Sequence, residues 1–330
     1  MPKVLFVGDI HQAGHRLFDS RPDYERVLFK DPVRADLMEQ VGEADAIVLR
    51  KLDLTREVLE QATKLRIVSR HGVGCDNMDV PFLTERGIPI ATIGTANADS
   101  VAEHAMMLLL SAARRLPHCM ALVKSASDAD RVGFLESRDG VGTMELKGRT
   151  LLIVGFGRIG RRLATLAAAF DMRIVIADPF VEPVAVEGLG YRHVAGFEAA
   201  LGEADAVVLS LPADPKAPPL FQAAQFAAMK PGSIFANVSR GSLVNEADLA
   251  EAVGRGHLLG AGTDVWQKLP PGPDHPFMSL EGMVMTPHCA AHTDACLSRM
   301  AEISVQNVFD FFDGRLDSRV VFNPDALRGT

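Results

Sequence analysis

The chain has 330 residues, 48% of them apolar and 23% charged, with a formal net charge of −8. That length supports about two domains with a substantial core in each, and the composition excludes a disordered or fibrous chain. The acidic balance argues against a nucleic-acid partner, which needs a basic face, although a few local arginines can still hold a small anion.

The four cysteines, Cys75, Cys119, Cys289 and Cys296, form no CxxC. Disulfides are not expected, and a reducing, cytoplasmic setting fits. The opening MPKVLFVGDI reads as a strand rather than a signal peptide. Strands are predicted near Lys3–Val7, Ala46–Leu49, Arg66–Ser69 and Ile88–Ala91, with helical patterns around 33–41, 55–63 and 79–86. Such alternation implies a parallel sheet with helices on both faces. Residues 99–124 carry a long apolar-rich helical pattern, interrupted at Pro117, that reads as a connection between domains. Its most apolar part, Ala105–Ala113, is too short to span a bilayer, so no membrane partner is expected. A polar stretch, 125–143, follows.

Residues 151–178 are the most informative segment. An apolar run enters Gly155-Phe156-Gly157-Arg158-Ile159-Gly160, an Ala/Leu-rich helical pattern follows, and a second apolar run ends at Asp178. Glycines permit a tight strand-to-helix turn and let backbone amides approach a pyrophosphate at the positive helix end. Asp178, 18 residues after Gly160, is where a carboxylate accepts hydrogen bonds from a ribose. Further strands are predicted near Ala206–Ser210, Ser233–Ala236, Leu258–Ala261 and Met283–Met285, and helices at 196–203, 222–228, 245–254 and about 292–314. The last is expected to pack back on the first domain. The expected fold is α/β, with two Rossmann-like or flavodoxin-like parallel-sheet domains and a cleft between them. The domains would be 1–98 plus 289–330, and 99–288.

Three polar groups fall at successive strand ends of the second domain: Val238-Ser239-Arg240-Gly241, Thr263-Asp264 and Thr286-Pro287-His288. A guanidinium in such a place can hold a carboxylate bidentately and polarise a carbonyl. A surface arginine paired with Glu246 or Asp248 is the alternative. A histidine facing a nicotinamide is a suitable proton donor, since its pKa lies near working pH. The HxxxH spacings, His11/His15 and His288/His292, have no third ligand, so no metal site is expected. Cys75 and Cys289 read as small apolar fillers, and His104 as structural; His71, His275 and His292 stay open.

The blocks SRHGVGCDNMD (69–79), TANADSVAEHAMMLLL (95–110), GFGRIG with Asp178, MKPGSIFANVSRGSLVNEADLAEAV (229–253), GAGTDVW (260–266), DHPF (274–277) and TPH (286–288) resemble those of the D-isomer-specific 2-hydroxyacid dehydrogenases. The resemblance spans nearly the whole chain. It implies an NAD-dependent D-2-hydroxyacid dehydrogenase, homodimeric through its nucleotide domains, whose first domain takes a small 2-oxo acid. Arg240 would bind and polarise the oxo acid, and His288 would be acid and base. Gly72, Val73 and Gly74 would cradle the substrate carboxylate. Arg158 and Ile159 amides would face the pyrophosphate, Asp178 the ribose and Asp264 the nicotinamide end. Val238, Ser239, Arg240 and His288 would complete the cofactor site beside Gly155, Gly157 and Gly160. A carboxylate at 178 favours NAD, because it repels the 2′-phosphate of NADP. Arg50 or Arg70 would touch a second anionic substrate group.

One departure stands out. The family glutamate that pairs with the histidine, 29 residues after the arginine, is Leu269 here. Losing a coupling of roughly one to two pKa units lowers the protonated fraction at pH 7 about tenfold or more. Gln267 and Asp294 are the named substitutes. The departure also motivates two alternatives: an NAD(H)-binding sensor or interaction protein without turnover, and a hydride donor that needs no proton transfer. A smaller departure is Ser210, where relatives carry a histidine.

Overall fold

The computed structural model describes residues 1–127, 130–214 and 216–328. The chain forms two compact units, Met1–Asn97 with Ala291–Thr330, and Ala98–Ala290.

The first unit holds five parallel strands: β1 (Lys3–Val7), β2 (Glu25–Phe29), β3 (Ala46–Leu49), β4 (Ile67–Arg70) and β5 (Ile90–Ala91). Their order is β2-β1-β3-β4-β5, the flavodoxin-like order, whose direction reverses between β1 and β3. Side chains alternate across a strand, so β1 serves two cores. Leu5 and Val7 face one with Ile47, Leu49 and Val68. Val4 and Phe6 face the other with Ala301, Val305, Val308 and Phe309 of the helix Asp294–Phe312. The terminal helix thus does pack on the first sheet.

The second unit holds β6 (Thr150–Val154), β7 (Arg173–Ala177), β8 (Arg192–Val194), β9 (Ala206–Leu209), β10 (Ile234–Asn237), β11 (Gly260–Thr263) and β12 (Met283–Met285). All pair in parallel, in the order β12-β11-β10-β9-β6-β7-β8. The direction reverses between β6 and β9, and ligands bind outside the carboxyl ends at such a switch point. Helix Ala98–Ala113 covers one face. A Cβ at Gly262 would lie 2.8 Å from Leu108 Cβ, so β11 keeps glycine where this helix approaches.

Several elements differ from expectation. The edge strands β2 and β8 are half-exposed and carry no continuous apolar run. Helix Arg131–Asp139 buries no side chain, hence the polar reading of that stretch. The long connecting pattern breaks at Arg115, in left-handed conformation (φ 46°), and Pro117 falls in the first turn of the next helix, Leu116–Ser125. Proline is tolerated there because first-turn amides have no intrahelical acceptor. Among the described residues no single helix is long and apolar enough to cross a membrane.

Candidate active site

The dinucleotide loop follows β6, and its three glycines meet three different demands. Gly155 has φ 96°, and a Cβ there would lie 2.8 Å from both Leu211 Cβ and the Ser210 carbonyl oxygen. A Cβ at Gly160 would lie 2.2 Å from the Gly155 carbonyl oxygen, so this helix can approach the loop only without one. Gly157 has nothing within 4 Å of its Cβ position; it is exposed and caps helix Arg158–Ala169. That open, amide-lined helix start fits a pyrophosphate. Ser210 donates to the Gly155 carbonyl oxygen at 2.8 Å, bracing the loop rather than offering a ring to a cofactor.

Asp178 follows β7 and accepts hydrogen bonds from the Phe156 amide at 2.7 Å and the Phe180 amide at 2.9 Å. It ties the glycine loop to the β7 end, and its remaining lone pairs suit a ribose hydroxyl.

Arg240 follows β10 on a tightly braced turn. The Asn237 side chain donates to the Arg240 carbonyl at 2.8 Å and accepts from the Ser239 amide at 3.0 Å. The Ser239 hydroxyl bonds the Leu211 carbonyl. A Cβ on Gly241 would sit 2.0 Å from the Trp266 carbonyl carbon, so glycine alone lets the two turns meet. Glu246 accepts from the Gln267 amide at 2.9 Å and lies 3.1 Å from His275 Nε2. Gln267 donates its side chain to the Val244 carbonyl at 2.7 Å.

His288 is exposed, two residues past Thr286, with φ 57°. A left-handed conformation is uncommon for a residue with a Cβ, and a network holds it. Asp264, 1% exposed, accepts from the Thr286 hydroxyl at 2.6 Å, the Cys289 amide at 2.8 Å and the Ala290 amide at 2.9 Å. His104 Nε2 lies 2.9 Å from the same hydroxyl. That hydroxyl has one proton and gives it to Asp264, so His104 is the Nε2–H tautomer and donates to Oγ1. Burial holds the His104 pKa below its ordinary value, against the opposing charge of Asp264, and keeps the ring neutral. Burial, with Asp264 beside it, raises the Cys289 thiol. The His104, Asp264 and Cys289 ligand atoms lie within 4.8 Å of one another, yet the hydrogen bonds already satisfy Asp264 without an ion.

In the first unit Arg70 donates to the Gly74, Leu49 and Arg50 carbonyls at 2.9, 3.0 and 3.1 Å. It stitches the Gly72-Val73-Gly74 loop to the β3 end. Arg50, just past β3, donates to the Asp9 carbonyl. Cys75 is a buried filler beside Leu54 and Leu83. The first HxxxH pair has other uses: His11 caps a helix and bonds Asp294, and His15 bonds Asp9. Leu269 is half-exposed. Gln267 and Asp294, the named substitutes for the missing glutamate, are held by Val244 and His11.

The family model described as "D-isomer specific 2-hydroxyacid dehydrogenase, NAD binding domain" matches residues 106–290. The chain belongs to this family. As a 2-hydroxyacid dehydrogenase relative it is 35% identical over 336 residues to a glyoxylate reductase from Thermococcus litoralis, covering 99% of this chain and 98% of that protein. It is 33% identical over 326 residues to D-3-phosphoglycerate dehydrogenase from Methanocaldococcus jannaschii, covering 98% of this chain and 60% of that protein. The chain therefore spans about three fifths of that relative's length. An NAD-dependent formate dehydrogenase from Staphylococcus aureus in complex with NAD superposes with a TM-score of 0.80 at 25% identity, covering 98% and 99% of the two chains.

Sequence reasoning missed the His104–Thr286–Asp264 network. A histidine in a largely apolar helix and a threonine before Pro287 were its traces.

Proposed function

We propose that the protein is an NAD-dependent oxidoreductase interconverting small 2-oxo acids and D-2-hydroxy acids, acting as a cytoplasmic homodimer. The observation that carries this reading is the Asp264 clamp. A buried carboxylate spends both oxygens on the turn that holds His288 in an unfavourable backbone conformation and leaves its ring exposed. Strain of this kind persists only where the surrounding structure over-determines it, as the clamp does here.

The nicotinamide cofactor, when bound, would give hydride as NADH and take it as NAD. Gly155, Gly157 and Gly160, with the Arg158 and Ile159 amides, bind its pyrophosphate; Asp178 takes the ribose, and Val238, Ser239 and Asp264 border the nicotinamide end. The Gly72, Val73 and Gly74 amides hold the substrate carboxylate, and Arg50 lies at the same sheet edge. Arg240 binds the oxo acid and draws electron density onto the carbonyl oxygen. His288 protonates that oxygen on reduction and removes the proton on oxidation. Asp178 disfavours NADP by charge repulsion. None of the four cysteines is in a disulfide, which suits a reducing compartment.

The test is NADH oxidation with glyoxylate, pyruvate, hydroxypyruvate, oxaloacetate, 2-oxoglutarate, phenylpyruvate and sulfopyruvate, from about pH 5 to 9, the range in which a histidine changes charge. Turnover that Arg240→Lys and His288→Gln each abolish is expected. Tight NADH binding with no turnover of any acid rejects the reading in favour of a sensor or of a hydride donor outside the 2-hydroxy acids.

A further inference from the structure

His71 follows the last residue of β4 and opens the Gly72-Val73-Gly74 loop. It is 4% exposed, yet its Nε2 is buried with no hydrogen-bond partner among the described residues. Its amide donates to the Leu49 carbonyl at 2.9 Å, which fixes its backbone beside the β3 end. Native proteins rarely leave a buried polar atom unmet, and a ligand that completes the bond is one explanation. Placement favours that explanation. His71 directly follows β4, and Arg50, just past β3, and Arg70, which ends β4, act on its ring together with His292. Its backbone is therefore at the carboxyl edge of the sheet, where ligands of this fold bind.

We infer that His71 is a specificity-determining residue, its Nε2 bonding a hydroxyl on the third carbon of the substrate, so that 3-hydroxy-2-oxo acids are preferred over unsubstituted ones. This rests on the 2-oxo acid reading above. A hydroxyl both donates and accepts, so it satisfies Nε2 in either tautomer, whereas a carboxylate satisfies only a protonated nitrogen. Burial first, then the positive charges of Arg50 and Arg70, with His292 beside them, hold His71 down to about 3. The ring is neutral throughout the working range, so the preference is flat between pH 5 and 9 while the overall rate follows other groups. An acid lacking the hydroxyl leaves Nε2 unpaired, and an unmet buried polar group costs about 10- to 100-fold.

The experiment compares kcat/KM for hydroxypyruvate and pyruvate, with NADH, in the wild type, His71→Leu and His71→Asn, with thermal unfolding of each. The wild type is expected to prefer hydroxypyruvate by about 10- to 100-fold. His71→Leu should remove most of that preference while changing pyruvate by less than about threefold, and His71→Asn should restore part of it. Equal losses for both substrates, or an unchanged preference, overturn the assignment. His71→Asn decides alone if the leucine variant does not fold. If the wild type reduces neither acid nor any other of the seven, the hydride-transfer reading fails by itself. Calorimetric binding of D-glycerate and D-lactate to the NAD-loaded protein then decides for His71, and equal affinities overturn it.

Discussion

Asp264 accepts three hydrogen bonds from the turn that carries His288. An asparagine at this position could not, because an amide has one acceptor oxygen and would aim an N–H at another donor. Asp264→Asn is expected to lower kcat about tenfold or more, the usual scale for a mispositioned catalytic group, with the NADH Kd within about threefold in a fluorescence titration. A weakened Kd at unchanged kcat would instead assign Asp264 to the cofactor. Leu269→Glu restores a carboxylate that raises a histidine pKa. The pH–rate profile for reduction should move to higher pH by about one unit, and an unchanged profile rejects a coupling between positions 269 and 288. His71 also makes the fold acid-sensitive. Its pKa is about 3 in the folded chain against about 6.5 unfolded, so between those values the unfolded state binds the extra proton. Stability is therefore lost as pH falls below 6.5, at about 1.4 kcal/mol per pH unit. Urea unfolding at pH 7 and pH 5 should show the wild type losing about 2 kcal/mol more than His71→Leu; equal losses contradict it. Asp9, lowered by its hydrogen bond to His15, adds acid sensitivity only below its ordinary value.

Within the strand–loop–helix element at 150–169, the glycines separate folding from binding. Gly160→Ala drives a Cβ against the Gly155 carbonyl and should destabilise by about 1–3 kcal/mol, as overpacking does. Gly157→Ala meets open space; it should leave Tm unchanged and weaken NADH binding about tenfold or more, because the methyl group occupies the approach to the helix amides. Matched effects on stability and binding in the two variants would contradict this division. The same element shows what a sequence makes legible. TLLIV in β6, KVLFV in β1 and AVVL in β9 are continuous apolar runs, and their strands lie where the pattern puts them, to within a residue or two. Strand β11, GAGT, has no apolar run of its own. It begins at Gly260 rather than Leu258, its place set by helix Ala98–Ala113 pressing on Gly262. The places of Arg240 and His288 were legible because each follows a strand within a recognisable block. The partnership of His104 with Thr286 spans 182 positions, and the unmet nitrogen of His71 depends on which groups fold around it. Neither leaves a periodicity to read.

At the scale of the molecule, the second unit exposes apolar side chains on three successive helices. Met107 is 39% exposed, Leu116 45%, Met120 50%, Val123 67% and Val132 69%, on Ala98–Ala113, Leu116–Ser125 and Arg131–Asp139. Single exposed apolar residues need no explanation, but a run along consecutive elements marks an interaction surface. Helix Leu116–Ser125 has no buried side chain at all. An isolated helix of ten residues gains little from propensity, so most of its stability must come from packing. The proposed homodimer would supply that packing, since closed two-fold pairing is the commonest solution. Light scattering should return twice the 35.6 kDa chain mass for the wild type. Met120→Glu with Val123→Glu should return a monomer, since charges placed in such a contact go unpaired and desolvated. If the wild type is monomeric, this surface does not close a dimer. If the doubly substituted chain stays dimeric, the contact lies elsewhere on the unit.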